Sequence, residues 1–165
     1  MTPKQNAVET MEFAHGLLVK MADSIPQDKA LFQVHPTTNH LLWTLGHLAT
    51  TYSWFGSLVD AKGATQLPES YNALFGMGSK PNPEKGKYPA LAEVRANFDK
   101  SYAACLAAVR ALTDANIWSP CVGDSHGLVS CRVDTAYKVA WHDGWHMGQI
   151  ADIRRVLGLP SIFGA

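Results

Sequence analysis

Two histidines, His142 and His146, are spaced four residues apart in AWHDGWHMGQI, residues 140–150. Side chains at positions i and i+4 of a helix project from the same face, so two imidazoles at this spacing can share one metal ion. Apolar residues continue the same helical face on both sides of the pair, which predicts that both histidines point toward the core. The spacing therefore raises the question of whether these histidines bind a metal.

A third histidine, His47, is predicted to point inward from a different helix, on the stripe Trp43, His47, Thr51 and Trp54. Burying three imidazoles without strong partners is costly, because each carries a polar N–H group and an acceptor nitrogen. One divalent cation bound by His47, His142 and His146 removes that cost and leaves an open coordination position, as in catalytic metal sites. Three imidazoles suit zinc, nickel, copper and iron(II) alike. The alternative interpretation is three separate, hydrogen-bonded core histidines.

The other four histidines are weaker ligand candidates. His40 lies about 10 Å before His47 along the helix axis, at 1.5 Å per residue. His35 precedes a proline in a connection, and His126 lies in an irregular segment. His15 could point inward from the first predicted helix.

Other metal chemistries lack residues that they require. A zinc-protease helix has Glu directly after its first histidine, whereas this chain has Asp143, which is interpreted as lying on the flank of the stripe. A ferritin-like di-iron site needs several inward glutamates, and no carboxylate is expected on the inward stripes of the last two long helices. The CxxCH motif of c-type haem attachment does not occur. Cys121 and Cys131 are interpreted as loop residues.

These histidines must be positioned by helices, because apolar residues recur at intervals of three and four in four segments. The segments cover residues 6–25, 38–59, 89–114 and 131–157, and the second has Thr38 and Asn39 as candidate N-caps. No intervening segment alternates with period two. The sequence therefore predicts an all-α, up-and-down four-helix bundle forming a single domain over residues 1–165.

Two irregular segments connect the helices, and the longer one, residues 60–88, is rich in proline and glycine. A connection of that length is often functional, so segments 60–88 and 116–130 are predicted to form a lid over the site. The alternative is a plain crossover loop. Gly144 and Gly148 are predicted to allow close approach of a neighbouring helix or subunit. Trp141 and Trp145 are interpreted as packing residues.

The composition limits the classes of partner. The chain has 14 basic and 14 acidic residues, which gives no basic face for nucleic acid or an anionic membrane. Charged residues make up only 17% of the chain, so a covered surface, as in a homodimer, is expected. Three widely spaced cysteines fit no disulfide framework, and no apolar signal segment is visible at the N-terminus. We therefore expect a cytoplasmic protein.

The segments NHLLWTLGHLA (39–49) and HDGWHMGQIADIRRVLGLP (142–160) together resemble the DinB/YfiT-like metalloenzyme family. That family has a W-x-x-G-H element on its second helix and an H-x-x-x-H-x-G-Q element on its fourth. The resemblance implies a bundle with an unusual connection order, often dimeric, that holds nickel, zinc or iron on three histidines. The corresponding residues are His47, His142 and His146, the same three that the helical stripes select.

The resemblance also implies a thiol-dependent activity. Family members include S-transferases that use bacillithiol and a maleylpyruvate isomerase that uses mycothiol, and a related domain supplies the iron site of ergothioneine-forming enzymes. The isomerase branch has Glu where this chain has His142, which places the chain nearer the three-histidine branch. The implied function is transfer of bacillithiol, mycothiol or glutathione to a small electrophile under the 60–88 segment. A metal-dependent hydrolase and a non-catalytic, metal-binding stress-response bundle are the alternatives.

Three further residues are predicted to line the substrate pocket: Asn39, Trp43 and Gln149. Gln149 lies one helical turn beyond His146 and could orient a ligand or water. The alternative roles are an N-cap for Asn39 and a hydrogen bond between helices for Gln149.

Overall fold

The computed structural model describes residues 1–164, and within that range it contains α-helices, short 3-10 turns and no strand. The helices are α1 (Pro3–Asp23), α2 (Leu41–Val59), α3 (Ser70–Phe75), α4 (Leu91–Arg110) and α5 (Asp134–Val156). The four long helices coincide with the four predicted segments, and the all-α bundle is confirmed. None of the described helices is both long and apolar enough to cross a bilayer.

The long helices pack in an order that differs from their order in the chain. α1 packs mainly against α5, and α2 mainly against α4, while α2 also contacts α5. The two helices that carry the histidine motifs, α2 and α5, are therefore neighbours in space. In the chain, 74 residues lie between the end of α2 at Val59 and the start of α5 at Asp134. The end of α2 lies beside the end of α4, since a Cβ on Gly56 would lie 3.2 Å from Cys105 Cα, so these two helices run parallel. The chain must therefore return along the bundle between them, which accounts for the extended segment between α2 and α4.

The ends of the helices are fixed by local hydrogen bonds. α1 begins with a capping box in which the Thr2 hydroxyl accepts from the Gln5 amide and the Gln5 side chain accepts from the Thr2 amide. α2 is capped by His40, whose ring Nδ1 accepts from the Trp43 amide at 3.1 Å. The prediction of Thr38 or Asn39 as the cap is wrong, because the helix begins one residue later and the buried His40 ring reaches the free amide.

The inward face of α5 is rotated by about one residue from the predicted stripe. Val139, Asp143, His146, Ile150 and Ile153 form the buried face, while Val156 from the predicted stripe is 58% exposed. The interpretation of Asp143 as a flank residue, and of the last helix as free of inward carboxylates, is therefore wrong. As a result of the rotation, His142 lies at the edge of the buried face rather than at its centre.

Asp143 is held in the core by a polar cluster that joins the long helices. The Tyr52 hydroxyl of α2 donates to Asp143 Oδ1 at 2.6 Å, and His15 Nδ1 of α1 lies 3.2 Å from the same hydroxyl. The His15 ring stacks on Tyr102 of α4 with a centroid separation of 3.3 Å. Burial raises the pKa of the Asp143 carboxyl to about 8, although the Tyr52 hydrogen bond acts in the opposite direction.

The segment between α2 and α4 is more ordered than its composition suggests. It contains a 3-10 turn at Ala61–Gly63 and the short helix α3, neither of which the sequence predicted. α3 buries Tyr71 and Phe75 against α2. The contact requires a glycine on α2, since a Cβ on Gly46 would lie 2.5 Å from Phe75 Cγ. The segment is therefore a packed part of the bundle, not a plain crossover.

Gly144 and Gly148 do not have the predicted role within the chain. A Cβ built on either residue would meet no atom of residues 1–164 within 4 Å, so none of the described helices approaches them closely. The prediction that these glycines allow close approach of a neighbouring helix is therefore wrong. Approach by a second subunit stays a prediction.

Candidate metal centre

Three imidazoles meet where α2 and α5 face each other. His47 comes from α2, His142 and His146 come from α5, and one nitrogen from each ring lies within 4.8 Å of the others. The Nε2 atoms of His142 and His146 are 3.2 Å apart. The His47 ring centroid lies 5.3 Å from that of His142 and 5.2 Å from that of His146. The structure thus brings together the three histidines that the sequence selected.

Hydrogen bonds to the opposite ring nitrogen fix the tautomers of two of these histidines. His47 Nδ1 lies 2.8 Å from the backbone carbonyl oxygen of Phe75, and His146 Nδ1 lies 2.9 Å from Gln149 Oε1. Both oxygens can only accept, so each Nδ1 carries the proton and each Nε2 presents a lone pair. His142 Nδ1 is buried without a hydrogen-bond partner among the described residues. Hence at least two lone pairs converge on one point.

The spacing and chemistry of the nitrogens fit a divalent cation. Two nitrogens bound at about 2.0–2.1 Å to a tetrahedral ion are about 3.3–3.4 Å apart. The separation of 3.2 Å between the α5 histidines is close to that value. Three neutral imidazoles suit zinc, nickel or iron(II), and metal-binding histidines typically donate the other N–H group to a protein oxygen, as His47 and His146 do. The three-histidine group could therefore hold a metal ion.

Burial keeps these imidazoles neutral, which is the form that binds metals. The pKa of His146 is lowered to about 4, first by burial and then by the nearby His47, while its bond to Gln149 acts in the opposite direction. The pKa of His142 is lowered to about 3, first by burial and then by His146 and His47. Burial also lowers the pKa of His47, while its bond to the Phe75 carbonyl acts in the opposite direction. Protons therefore do not compete for the nitrogens near neutral pH.

The three predicted substrate-binding residues lie in two different places. Asn39 and Gln149 line the cavity beside the histidines, and Asn39 Nδ2 donates to Gln149 Oε1 at 3.0 Å. Gln149 thus links α5 to the start of α2 while it orients His146. Trp43 is buried behind His47, parallel to its ring at 4.8 Å, and its indole N–H donates to Ser79 Oγ. Trp43 contributes no wall to the cavity, and substrate contact by Asn39 and Gln149 stays a prediction.

The histidine group opens on a cavity of about 730 Å³. Its walls come from α2, from α5 and from both long connections, which contribute Asn72, Gly76 and Met77 on one side and Ser125, His126 and Leu128 on the other. The expectation that the two segments flank the site is therefore met, while movement as a lid stays a prediction. A cavity of this size is typical of small-molecule sites.

Trp141 and Trp145 are cavity residues. They are 51% and 59% exposed, they pack edge to face at 5.4 Å, and both line the cavity. Their interpretation as packing residues is wrong, because the rotation of α5 that buries Asp143 turns both indoles outward. Phe75, whose carbonyl orients His47, was not identified from the sequence. The only local signal for it is Gly46, the small residue directly before His47.

The remaining histidines lie outside the ligand group. His15 belongs to the buried cluster with Tyr52, and His40 caps α2 while its Nε2 donates to the Asn82 carbonyl at 3.1 Å. His35 lies in an exposed turn, and His126 pairs with Asp124 at the cavity rim. Cys121 and Cys131 are free cysteines in the connection before α5, as predicted.

In a comparison with protein families, a single match covers all three histidines of the candidate metal centre. The family model of the DinB superfamily matches residues 10–150, which include the three histidines, Gln149 and the segment that carries α3. A comparison with curated proteins gives no match.

Proposed function

Because the chain belongs to the DinB superfamily, we propose that it is a metal-dependent S-transferase that conjugates a low-molecular-weight thiol to a small electrophile. His47, His142 and His146 would hold one divalent cation, with zinc or nickel expected first and iron as a further candidate. The supporting observation is that the histidine nitrogens face a cavity of about 730 Å³. Structural zinc sites are closed by a fourth protein ligand, whereas catalytic sites keep a position open.

A divalent cation held by His47, His142 and His146 would supply Lewis acidity, which would lower the pKa of a thiol or water molecule beside it. In the transfer reaction the thiol loses its proton to solvent, and the sulfur forms a bond to an electrophilic carbon. With a halide as substrate, the carbon–halogen bond breaks and the halide leaves with the electron pair. With an epoxide, the carbon–oxygen bond breaks and the oxygen takes up a proton. Neither reaction requires an oxidant or a reductant.

The protein's own residues keep the centre in its binding form. The Phe75 carbonyl and Gln149 Oε1 hold the Nδ1 protons of His47 and His146, so both Nε2 lone pairs stay directed at one point. Trp43 restricts rotation of the His47 ring by stacking on it.

The first test is the metal content of protein purified without a histidine tag. We expect about one ion per chain, by analogy with three-histidine sites, and loss of that ion in His47→Ala and His146→Ala. His35→Ala is the matched control, because His35 is exposed and lies outside the ligand group. Stoichiometric metal retained by both ligand variants would overturn the proposed centre.

The second test measures thiol consumption by the metal-loaded protein with bacillithiol, mycothiol and glutathione, against 1-chloro-2,4-dinitrobenzene. We expect turnover with at least one thiol, and none after chelation or in His47→Ala. Parallel assays with p-nitrophenyl acetate detect a metal-dependent hydrolase. Hydrolysis without thiol transfer would contradict the S-transferase and favour the hydrolase. No turnover in either assay would also contradict the S-transferase and would leave the non-catalytic bundle.

A further inference from the structure

Large apolar side chains are exposed together on the cavity wall. Met77 is 96% exposed, Trp145 59%, Trp141 51% and Leu128 41%, and all four line the cavity beside the histidines. Single exposed apolar residues are ordinary on a protein surface, whereas a contiguous group inside a concave site indicates a ligand that covers it. The four residues come from α5 and from both long connections, so only the folded chain assembles them.

The cavity contains aromatic rings at its wall and close to the histidines. Trp54 and Phe55 of α2 line it together with the two indoles of α5. The Phe55 ring centroid lies 6.3 Å from that of His142, and the Trp141 centroid lies 6.2 Å from it. Trp141 and Trp145 are nearly perpendicular, at 85°, and so present differently oriented ring surfaces to the cavity. Flat aromatic ligands bind such surfaces by offset stacking and edge-to-face contacts.

Among the residues that the structure describes, no lysine, arginine, aspartate or glutamate lines the cavity. Its polar lining is made of histidines, amides and hydroxyls, and the hydroxyls of Thr50 and Thr51 are already donated to the His47 carbonyl. A carboxylate or ammonium group in this cavity would lose hydration without meeting an opposite charge among the residues that line it, since the Asp124 carboxylate lies outside the lining, at the rim. The exception would be a reacting atom beside the metal ion, because there the cation would offset the charge of an anionic group.

We propose that the cavity selects an uncharged, planar aromatic electrophile, held against Trp141 and Trp145 with its reactive carbon toward the three histidines. This inference rests on the proposed function for the reaction, but ligand selection depends only on the cavity walls. For an aryl halide, the carbon–sulfur bond forms, the halide leaves with the electron pair, and the thiol proton passes to solvent.

The test uses metal-free protein, so that its outcome is independent of the metal site. Three probes of matched shape, 2-naphthamide, 2-naphthoate and 2-naphthylmethylammonium, are titrated by isothermal calorimetry at pH 7. We expect the neutral amide to bind about 10-fold or more tightly than either ion, because the charged groups find no partner. Equal or tighter binding of either ion would overturn the proposal.

Tryptophan variants locate the binding surface. We expect Trp141→Ala and Trp145→Ala each to weaken binding of 2-naphthamide about 3- to 10-fold through loss of ring contact. Trp118→Ala is the matched control, since Trp118 is 64% exposed and lies outside the cavity. An equal loss in Trp118→Ala, or no loss in either α5 variant, would place the probe elsewhere and refute the proposal. If the metal tests fail while the amide binds as expected, only the proposed function is lost.

Discussion

Replacement of Gly46 by alanine tests how the short helix α3 controls the metal centre. A Cβ at this position would lie 2.5 Å from Phe75 Cγ and Cε1, far inside van der Waals contact. The Phe75 ring cannot turn away easily, because it is fully buried and packs against Tyr71 at 5.0 Å and Tyr88 at 5.3 Å. The substitution must therefore displace α3 itself, together with the Phe75 carbonyl.

The expected magnitude combines two opposing effects. Overpacking of a well-filled core costs about 1–3 kcal/mol, while alanine is favoured over glycine in a helix interior by about 1 kcal/mol. Gly46→Ala should therefore lower the free energy of unfolding by up to about 2 kcal/mol. Gly144→Ala and Gly148→Ala are matched controls in α5, where a Cβ meets nothing within 4 Å. Each control should instead be stabilised by about 0.5–1 kcal/mol.

The same displacement should weaken metal binding. His47 Nδ1 donates to the Phe75 carbonyl at 2.8 Å, and movement of α3 lengthens that bond. Loss of such a supporting hydrogen bond typically reduces metal affinity by about 10- to 100-fold. Urea unfolding of the metal-free variants measures stability, and zinc titration against a competing chelator measures affinity. If Gly46→Ala matches Gly144→Ala in stability and binds zinc like the wild type, the proposed coupling of α3 to His47 is refuted.

Four other predictions follow from contacts described above. Burial lowers the pKa of His40 to about 4 from 6.5, so the unfolded chain binds more protons between these values and stability falls as pH drops through them. In urea unfolding of metal-free protein, His40→Asn should reduce the fall in unfolding free energy between pH 6.5 and 4 by about 1 kcal/mol per pH unit. Equal pH dependence in the wild type and the variant would contradict this prediction. Tyr52→Phe leaves Asp143 Oδ1 without its hydrogen-bond donor and should lower the free energy of unfolding by about 1–3 kcal/mol. The same substitution should cost less in the Asp143→Leu background, and strictly additive effects of the two substitutions would argue against the bond. Gln149→Leu should weaken zinc binding about 10- to 100-fold by chelator competition, with an unchanged affinity as the contrary result. Among the thiols, uncharged mycothiol should give a kcat/KM about 10-fold or more above those of the carboxylate-bearing glutathione and bacillithiol, and the reverse order would contradict an uncharged cavity.

Much of the site could be predicted because its signals are local. The intervals of three and four between apolar residues predict the four long helices, and the spacing of His142 and His146 places both on one helical side. His47 was identified because it too lies on a mainly apolar stripe. Homodimer formation, the cytoplasmic location and the thiol co-substrate stay predictions.

The orientation of α5 could not be predicted as closely. A helix advances about 100° per residue, so a stripe displaced by one residue changes which side chains are buried. The sequence favoured His142 and Gln149 on the inward face, whereas packing against α1 and α2 buries Asp143 and Ile150 instead. The reason is a contact between helices: Tyr52 offers the hydrogen bond that makes burial of a carboxyl tolerable. That rotation also turns Trp141 and Trp145 outward, where both indoles line the cavity.

The sequence by itself determined that three histidines belong to helical faces that can meet. Tertiary structure alone decided how they meet, since the Phe75 carbonyl comes from a helix 28 residues beyond His47 along the chain. Hydrophobic periodicity is a property of one helix and carries no information on such distant partners. The histidine motifs therefore predict the ligands, while the packing of α3, α5 and the long connections determines their protonation and the cavity they face.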